Sequence, residues 1–223
     1  MGYEHMNSGG AQPQVQFYGM NNEEAVLLYL LQLCGRSPGD ITYLEIGTND
    51  PVRNNNSYFF YEQGARGVLV DPLPAVGRMI ELFRPEDRFV HTAVTDHAEH
   101  DTITFYESNM LATSSIHADF QEEFDDGADH TVKHSYTVPL IGVNELLATM
   151  DDTPDLLLID AEGEDVTIAE GVDYEKYRPL IIMVEVDHGD EAGLIQFLAA
   201  RSYTWFTTIS HTNAVFVRAE AMK

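Results

Sequence analysis

Apolar and polar positions follow two rhythms along this chain, one with the period of a helix and one of short unbroken apolar runs. "NNEEAVLLYLLQLC" has helical apolar spacing behind an asparagine and two acids, which predicts a helix over 23–33 with Asn22 as its cap. "ITYLEIG" is short, rich in strand formers and ends at Gly47, so it reads as a strand. "SYFFYEQG" and "AVGRMIELF" read as helices on either side of a second strand, "GVLVD". "RFVHTAV" gives a third strand and "TITFYES" a fourth. "DLLLID" opens as a solid apolar run and breaks into acids; a short helix closed by Gly171 and the strand "LIIMVEV" follow. "EAGLIQFLAAR" is helical. "YTWFTTIS" and "NAVFVRA" close the chain as a hairpin turning at 211–213, with Trp205 and its aromatic neighbours expected in the core.

Apolar strands alternating with helices predict an α/β fold: a Rossmann-like, doubly wound sheet, mostly parallel, covered on both faces and extended by an antiparallel C-terminal hairpin. No repeat or second core is visible, so residues 21–223 are expected to form one domain. Residues 1–20, rich in Gly, Gln and Asn, read as disordered or tag-like. The long irregular segment 108–134 is acidic and carries Ser and His, and reads as a lid or a disordered insert.

Charge narrows the partners. The 223 residues carry 37 acids against 12 Lys and Arg, a formal net charge of -25. Such a surface repels phosphate backbones and anionic lipid, so nucleic acid and membrane are not expected; an oligomer is left open. The acids are spread along the whole chain, which favours a solubility adaptation, as in a salty cytoplasm, over a cationic substrate. Cys34 is the single cysteine and sits in an apolar run, so it is expected buried and inert. No apolar run approaches the roughly 20 residues of a membrane span. The start lacks the basic and apolar regions of a secretory signal, and a cytoplasmic protein is expected.

In open parallel sheets ligands bind beyond the carboxyl ends of the strands. Those ends read "EIGTND", "VDPLP", "HTAV", "IDAEGE" and "VEVDHG", four of them bearing an acid. A dinucleotide site would want G-x-G-x-x-G after the first strand; only Gly47 is present, and the edge is too anionic for phosphates. A cofactor with an adenosine but no phosphates fits better. Asp71 is placed to accept from both ribose hydroxyls, Glu45 and Gly47 form the first turn, and the sulfonium and ammonium of S-adenosylmethionine suit neighbouring carboxylates.

At these residues the chain resembles the FkbM family of S-adenosylmethionine-dependent O-methyltransferases. "YLEIGTNDPVRNNNSYFFYEQGARGVLVDPLP" is similar to the family's first half, and "DLLLIDAEGEDVTIAEG" with "RPLIIMVE" to its second, covering residues 41–185. The resemblance implies the class I methyltransferase fold. It puts Glu45, Gly47, Thr48 and Asn49 on the cofactor's methionine end and Asp71 on the ribose, with Ser57 reaching the cofactor carboxylate from the next helix. Pro72 and Ala93, on the ends of the second and third strands, are counted with them. Ser114 and Ser115 resemble a serine pair of the family and fit an ordinary turn equally well. Glu45 stands where the family has Asp, Thr48 where it has Ala, and Pro51 where it often has Gly.

The expected reaction is transfer of a methyl group to a hydroxyl of a small molecule or sugar. An alcohol needs a base, and Asp160 and His188 are the candidates, with Glu162 beside them. Glu164 and Asp165 are explained by a helix N-terminus alone, and His91, His97, His117 and His211 by ordinary surface positions. Asp160, Glu185 and Asp187 could instead hold Mg²⁺ or Mn²⁺, unless Glu185 pairs with Arg178 or points into the sheet. Two other classes compete: another nucleotide-dependent enzyme on the same sheet, and a non-catalytic binding protein that keeps the fold.

Overall fold

The computed structural model describes residues 15–110, 113–118, 120, 131–187 and 189–222. Five strands carry the parallel part of a seven-stranded sheet: β1 (Thr42–Ile46), β2 (Arg66–Asp71), β3 (Arg88–His91), β7 (Leu156–Ile159) and β8 (Ile181–Glu185). β9 (Tyr203–Ile209) and β10 (Asn213–Arg218) complete it, in the order β3-β2-β1-β7-β8-β10-β9. β10 runs antiparallel to both β8 and β9, as the terminal hairpin requires. Strand order reverses between β1 and β7, so the crevice at their carboxyl ends is the switch point.

Alternation sorts the strand residues onto two apolar layers. Tyr43, Leu156, Leu158, Ile181 and Met183 face one core; Leu44, Ile46, Leu157, Ile159 and Ile182 face the other. Helices α1 (Glu23–Leu33), α2 (Tyr58–Glu62) and α3 (Pro74–Phe83) close the first layer through residues such as Leu30, Phe60 and Ile80. The second is closed by α4 (Val143–Leu147), α5 (Asp165–Gly171) and α6 (Glu191–Ala199), with Leu146, Ile168 and Leu194 buried. Cys34 is buried at the end of α1. Among the described residues no helix is long and apolar enough to cross a membrane.

Several local expectations are corrected. "RFVHTAV" is two strands: after β3 the chain leaves the main sheet, and β4 (Ala93–Thr95) pairs in parallel with β6 (Val132–Gly142). "TITFYES" is β5 (Thr102–Ser108), which runs antiparallel along β6 in this second, three-stranded sheet. β6 overlaps the end of the segment read as irregular. It carries Lys133, His134 and Pro139 and is mostly solvent-facing, so neither an apolar run nor clean alternation marks it. Asn22 does not cap α1 with its side chain; it sits in left-handed backbone, and the acids behind it fold back instead. Glu24 accepts from the amides of Tyr18 and Gly19, at 2.6 and 2.8 Å, and Glu23 from that of Asn21.

Residues 15–20, grouped above with the irregular start, are packed: the Phe17 ring lies 5.2 Å from that of Phe59, and Tyr18 meets Tyr58 edge-on. The rest of that start, 1–14, lies outside the described residues. The hairpin turns at 210–212, with Ser210 and His211 at positive φ. Trp205 and Phe206 are not core. They lie on edge strand β9 at 45% and 39% exposure, beside a bulge opposite Val215 and Phe216.

Candidate functional site

The first turn of the site is set by backbone contacts. Gly47 sits at φ 85, and its amide and that of Thr48 donate to the carbonyl of Val70 at the end of β2. A Cβ on Gly47 would lie 1.5 Å from the carbonyl oxygen of Asp160. The glycine is needed for that approach of β1 to β7 as well as for its φ. Asp71, 4% exposed, accepts the Asn49 amide at 2.8 Å through one oxygen and the Leu73 amide at 2.7 Å through the other. Each oxygen keeps a lone pair. Burial pushes its carboxyl up to about 6, against the pull of those two amides.

The acids after β7 divide into two kinds. Asp165 shapes the turn: it accepts from the amides of Ala161 and Gly163. That turn carries Glu162 at φ 49 and Gly163 at φ 103, and a non-glycine residue held there costs on the order of 1–2 kcal/mol. Asp160, Glu162 and Glu185 converge, with one carboxylate oxygen of each within 4.8 Å of the others. Asp187 is not in that group, which corrects the expected metal set. Arg178 pairs with Glu220 rather than Glu185. Glu185 keeps a buried Oε2 with no partner.

Burial raises all three, and the charge of Asp160 raises Glu162 and Glu185 further. Asp160 is pushed up to about 7, with the charge of Asp165 adding to its burial. Glu162 and Glu185 are driven well above neutrality, each by burial first and by Asp160 second. At neutral pH the cluster therefore holds protons, with Asp160 its most acidic member.

Ser57 does not face the cavity. It is fully buried behind Glu45, donates to Glu45 Oε2 at 2.7 Å, and belongs to a network around Arg84. Ser115 lies behind the wall as well: its hydroxyl donates to the carbonyl of Glu162 at 2.7 Å, while Ser114 lines the cavity. His188 lies outside the described residues. Glu164, set aside above as a helix-end acid, lines the cavity; it accepts from Thr95 at 2.9 Å and pairs with His117 at 2.8 Å.

Glu45, Gly47, Thr48, Asn49, Asp71, Pro72, Ala93, Asp160, Glu162, Glu185 and Asp187 all border one cavity of about 310 Å³ at the switch point. Sequence reasoning missed its outer wall, formed by Met20, Asn21 and Glu23 before and within α1 and by Thr212 and Asn213 in the hairpin turn. Asn213 donates to Glu23 at 3.3 Å across 190 positions, a distance over which no local pattern reports. The lining carries no Lys, Arg or His among the described residues.

A doubly wound sheet of this order, with an acid at the end of the second strand and a carboxyl-lined crevice at the switch point, has the fold of the class I S-adenosylmethionine-dependent methyltransferases. Within that class the chain belongs to the FkbM methyltransferase domain family, whose model matches residues 45–205. It is similar in structure to methyltransferase FkbM from Methylobacillus flagellatus KT, at 10% identity over 81% of this chain and 44% of that one, TM-score 0.48. It is also similar to a TehB-like S-adenosylmethionine-dependent methyltransferase from Corynebacterium glutamicum (11% identity, 89% and 97% covered, TM-score 0.41). A third is Aeropyrum pernix fibrillarin with natively bound S-adenosyl-L-methionine (11% identity, 85% and 73% covered, TM-score 0.43). No curated protein matches the chain.

Proposed function

We propose that this methyltransferase acts on a hydroxyl group of a small molecule or sugar, with S-adenosylmethionine as methyl donor. The observation that carries the choice of donor is the cavity's lining of carboxyls. Asp71 stands at one end, the cluster of Asp160, Glu162 and Glu185 at the other, and no cation lies between them among the described residues. That lining offers acceptors to a donor with a ribose and two positive centres and offers phosphates no cation to pair with. The remaining lone pairs of Asp71 would accept from the ribose hydroxyls. Pro72 and Ala93 would border the adenosine, and Glu45, Gly47, Thr48 and Asn49 the amino-acid end.

When bound, S-adenosylmethionine supplies a methyl group on a sulfonium that departs readily. What remains for the protein is to orient the acceptor oxygen and take its proton. Asp160 is the proposed base: it sits on the strand end at the switch point, and a carboxyl near neutrality is suited to the task. Glu185 and Glu162, holding protons, would orient it. A second reading gives the same three oxygens to Mg²⁺ or Mn²⁺, favoured by their convergence and by the unpartnered Oε2 of Glu185.

Mass spectrometry after incubation with S-adenosylmethionine and a panel of sugars and small alcohols tests the reaction, a gain of one methyl on oxygen being the expected product. Methylation confined to nitrogen or carbon acceptors would overturn the hydroxyl assignment. Failure of S-adenosylhomocysteine to bind at millimolar concentration would remove the donor. Chelation with EDTA separates the two readings: unchanged turnover rejects the ion, and activity that returns only with added Mg²⁺ or Mn²⁺ rejects the unassisted base.

A further inference from the structure

A guanidinium lies fully buried behind the cofactor edge. Arg84 follows the last turn of α3 and is 0% exposed. A buried charge is tolerated only when its hydrogen bonds are made and an opposite charge is near. Arg84 meets both conditions. Its Nε donates to Asp87 at 2.8 Å, one terminal nitrogen to the carbonyl of Pro51 at 3.3 Å and to Asn55 Oδ1 at 2.9 Å, and the other to Tyr43 and Ser57 at 2.9 and 2.8 Å. All five N–H donors of the guanidinium are thereby placed. The ring of Tyr43 lies 5.4 Å from its carbon, and those of Tyr61 and Tyr58 lie 5.3 and 5.8 Å away.

What this arrangement holds is the loop beside the cavity. Pro51, Asn55 and Ser57 all belong to the stretch that leaves the first turn, and two of them pass the contact on. Asn55 and Ser57 donate to the same oxygen of Glu45, Oε2, at 3.0 and 2.7 Å, and Arg84 itself stands 3.7 Å from it. Glu45 Oε1 receives no hydrogen bond among the described residues, and the side chain borders the cavity. Glu45 is thus tied by one oxygen and left with the other to offer a ligand.

We infer that Arg84 is a positioning residue for the amino-acid end of the methyl donor: it fixes Glu45 by one oxygen so that the other can accept from the donor's ammonium. The inference rests on the proposed donor site and adds a residue that never touches the ligand.

The test uses two ligands that share the adenosine and differ in the amino-acid end, S-adenosylhomocysteine and methylthioadenosine, titrated calorimetrically into the full chain. Arg84→Lys keeps the charge and loses the fork; Arg84→Met loses both. Each should weaken S-adenosylhomocysteine by about 10- to 100-fold, the range for hydrogen bonds to a charged group. Methylthioadenosine should stay within about threefold, since its contacts lie at Asp71. Glu45→Gln should reproduce the pattern, and adding it to Arg84→Lys should cost little more, because the two act through one oxygen. Equal weakening of both ligands would mark Arg84 as merely structural, and losses that add in the double variant would show that it does not act through Glu45. Either overturns the inference, as does no loss at all. If Arg84→Met does not fold, Arg84→Lys and Asn55→Ala carry the same comparison. A parent protein that binds methylthioadenosine and S-adenosylhomocysteine with equal affinity leaves the donor site standing and removes this role, whereas a parent that binds neither removes the site itself.

Discussion

Asp71 has two tasks that pull in opposite directions. Its oxygens hold the amides of Asn49 and Leu73, which favours the carboxylate, while complete burial favours the acid and wins, raising it to about 6. Ribose hydroxyls need an acceptor, so donor affinity should fall as pH drops through about 6. Asp71→Ala should weaken S-adenosylhomocysteine by about 1.5–3 kcal/mol, and Asp71→Asn by less, because the amide keeps one acceptor oxygen. Calorimetric titration at pH 7.5 checks both; parental affinity in both variants would detach Asp71 from the ribose. At the other end of the cavity, Asp160→Asn should lower kcat by about 10²- to 10⁴-fold with the donor's KM nearly unchanged, the signature of a lost base. A pure KM effect would make Asp160 a binding group. The acids themselves were readable because strand ends face ligands in this topology, which brings Glu45, Asp71, Asp160 and Glu185 to one edge. Arg84 was not readable. In "IELFRPEDRF" it looks like a solvated cation after a helix, and only the return of the loop 51–57 buries it.

Among the elements, those with a continuous apolar run or a clear helical stripe were legible almost to the residue. α1 was expected over 23–33 and forms there, and β1, β2, β7 and β8 were all expected as strands. The second sheet was not legible. β6 is sided by solvent and by β5, so its hydrophobic payload is small, and its pairing with β4 and β5 is a long-range event. That sheet matters to the site because Ala93, Phe105 and Ser114 border the cavity from it or from the segment beside it. The junction of β1 and β7 makes a separate prediction. Gly47→Ala must accept φ 85 and a collision with the Asp160 carbonyl, whereas Gly64→Ala meets a similar backbone penalty at φ 109 with its nearest contact at 3.8 Å. The first should cost more than about 2 kcal/mol and the second about 1–2 kcal/mol, read as denaturant midpoints at unchanged slope. Equal losses would mean the turn yields, and that β1 does not hold β7 through this contact.

For the molecule as a whole, two populations of acid respond differently to solution conditions. Exposed acids contribute to the formal net charge of -25 and repel one another through water, an effect that salt screens. The buried set at the crevice is shielded from salt and responds to pH instead. Asp71 and Asp160 have folded values raised to about 6 and about 7, so the folded chain binds their protons more tightly than the unfolded chain does. Their contribution to stability is full below the ordinary aspartate range and is lost as pH rises through 6 and 7, on the order of 3 kcal/mol for Asp71. The ligand-free protein should therefore melt at a lower temperature at pH 8 than at pH 5.5, at fixed ionic strength. Added NaCl should raise the melting temperature at both. Asp71→Asn separates the populations: it should flatten part of the pH slope, because the amide no longer titrates, and leave the salt response as it was. Scanning calorimetry of the parent and this variant over pH and NaCl checks the division. A pH slope that salt abolishes would assign the effect to the surface acids and deny the buried carboxyls their part in it.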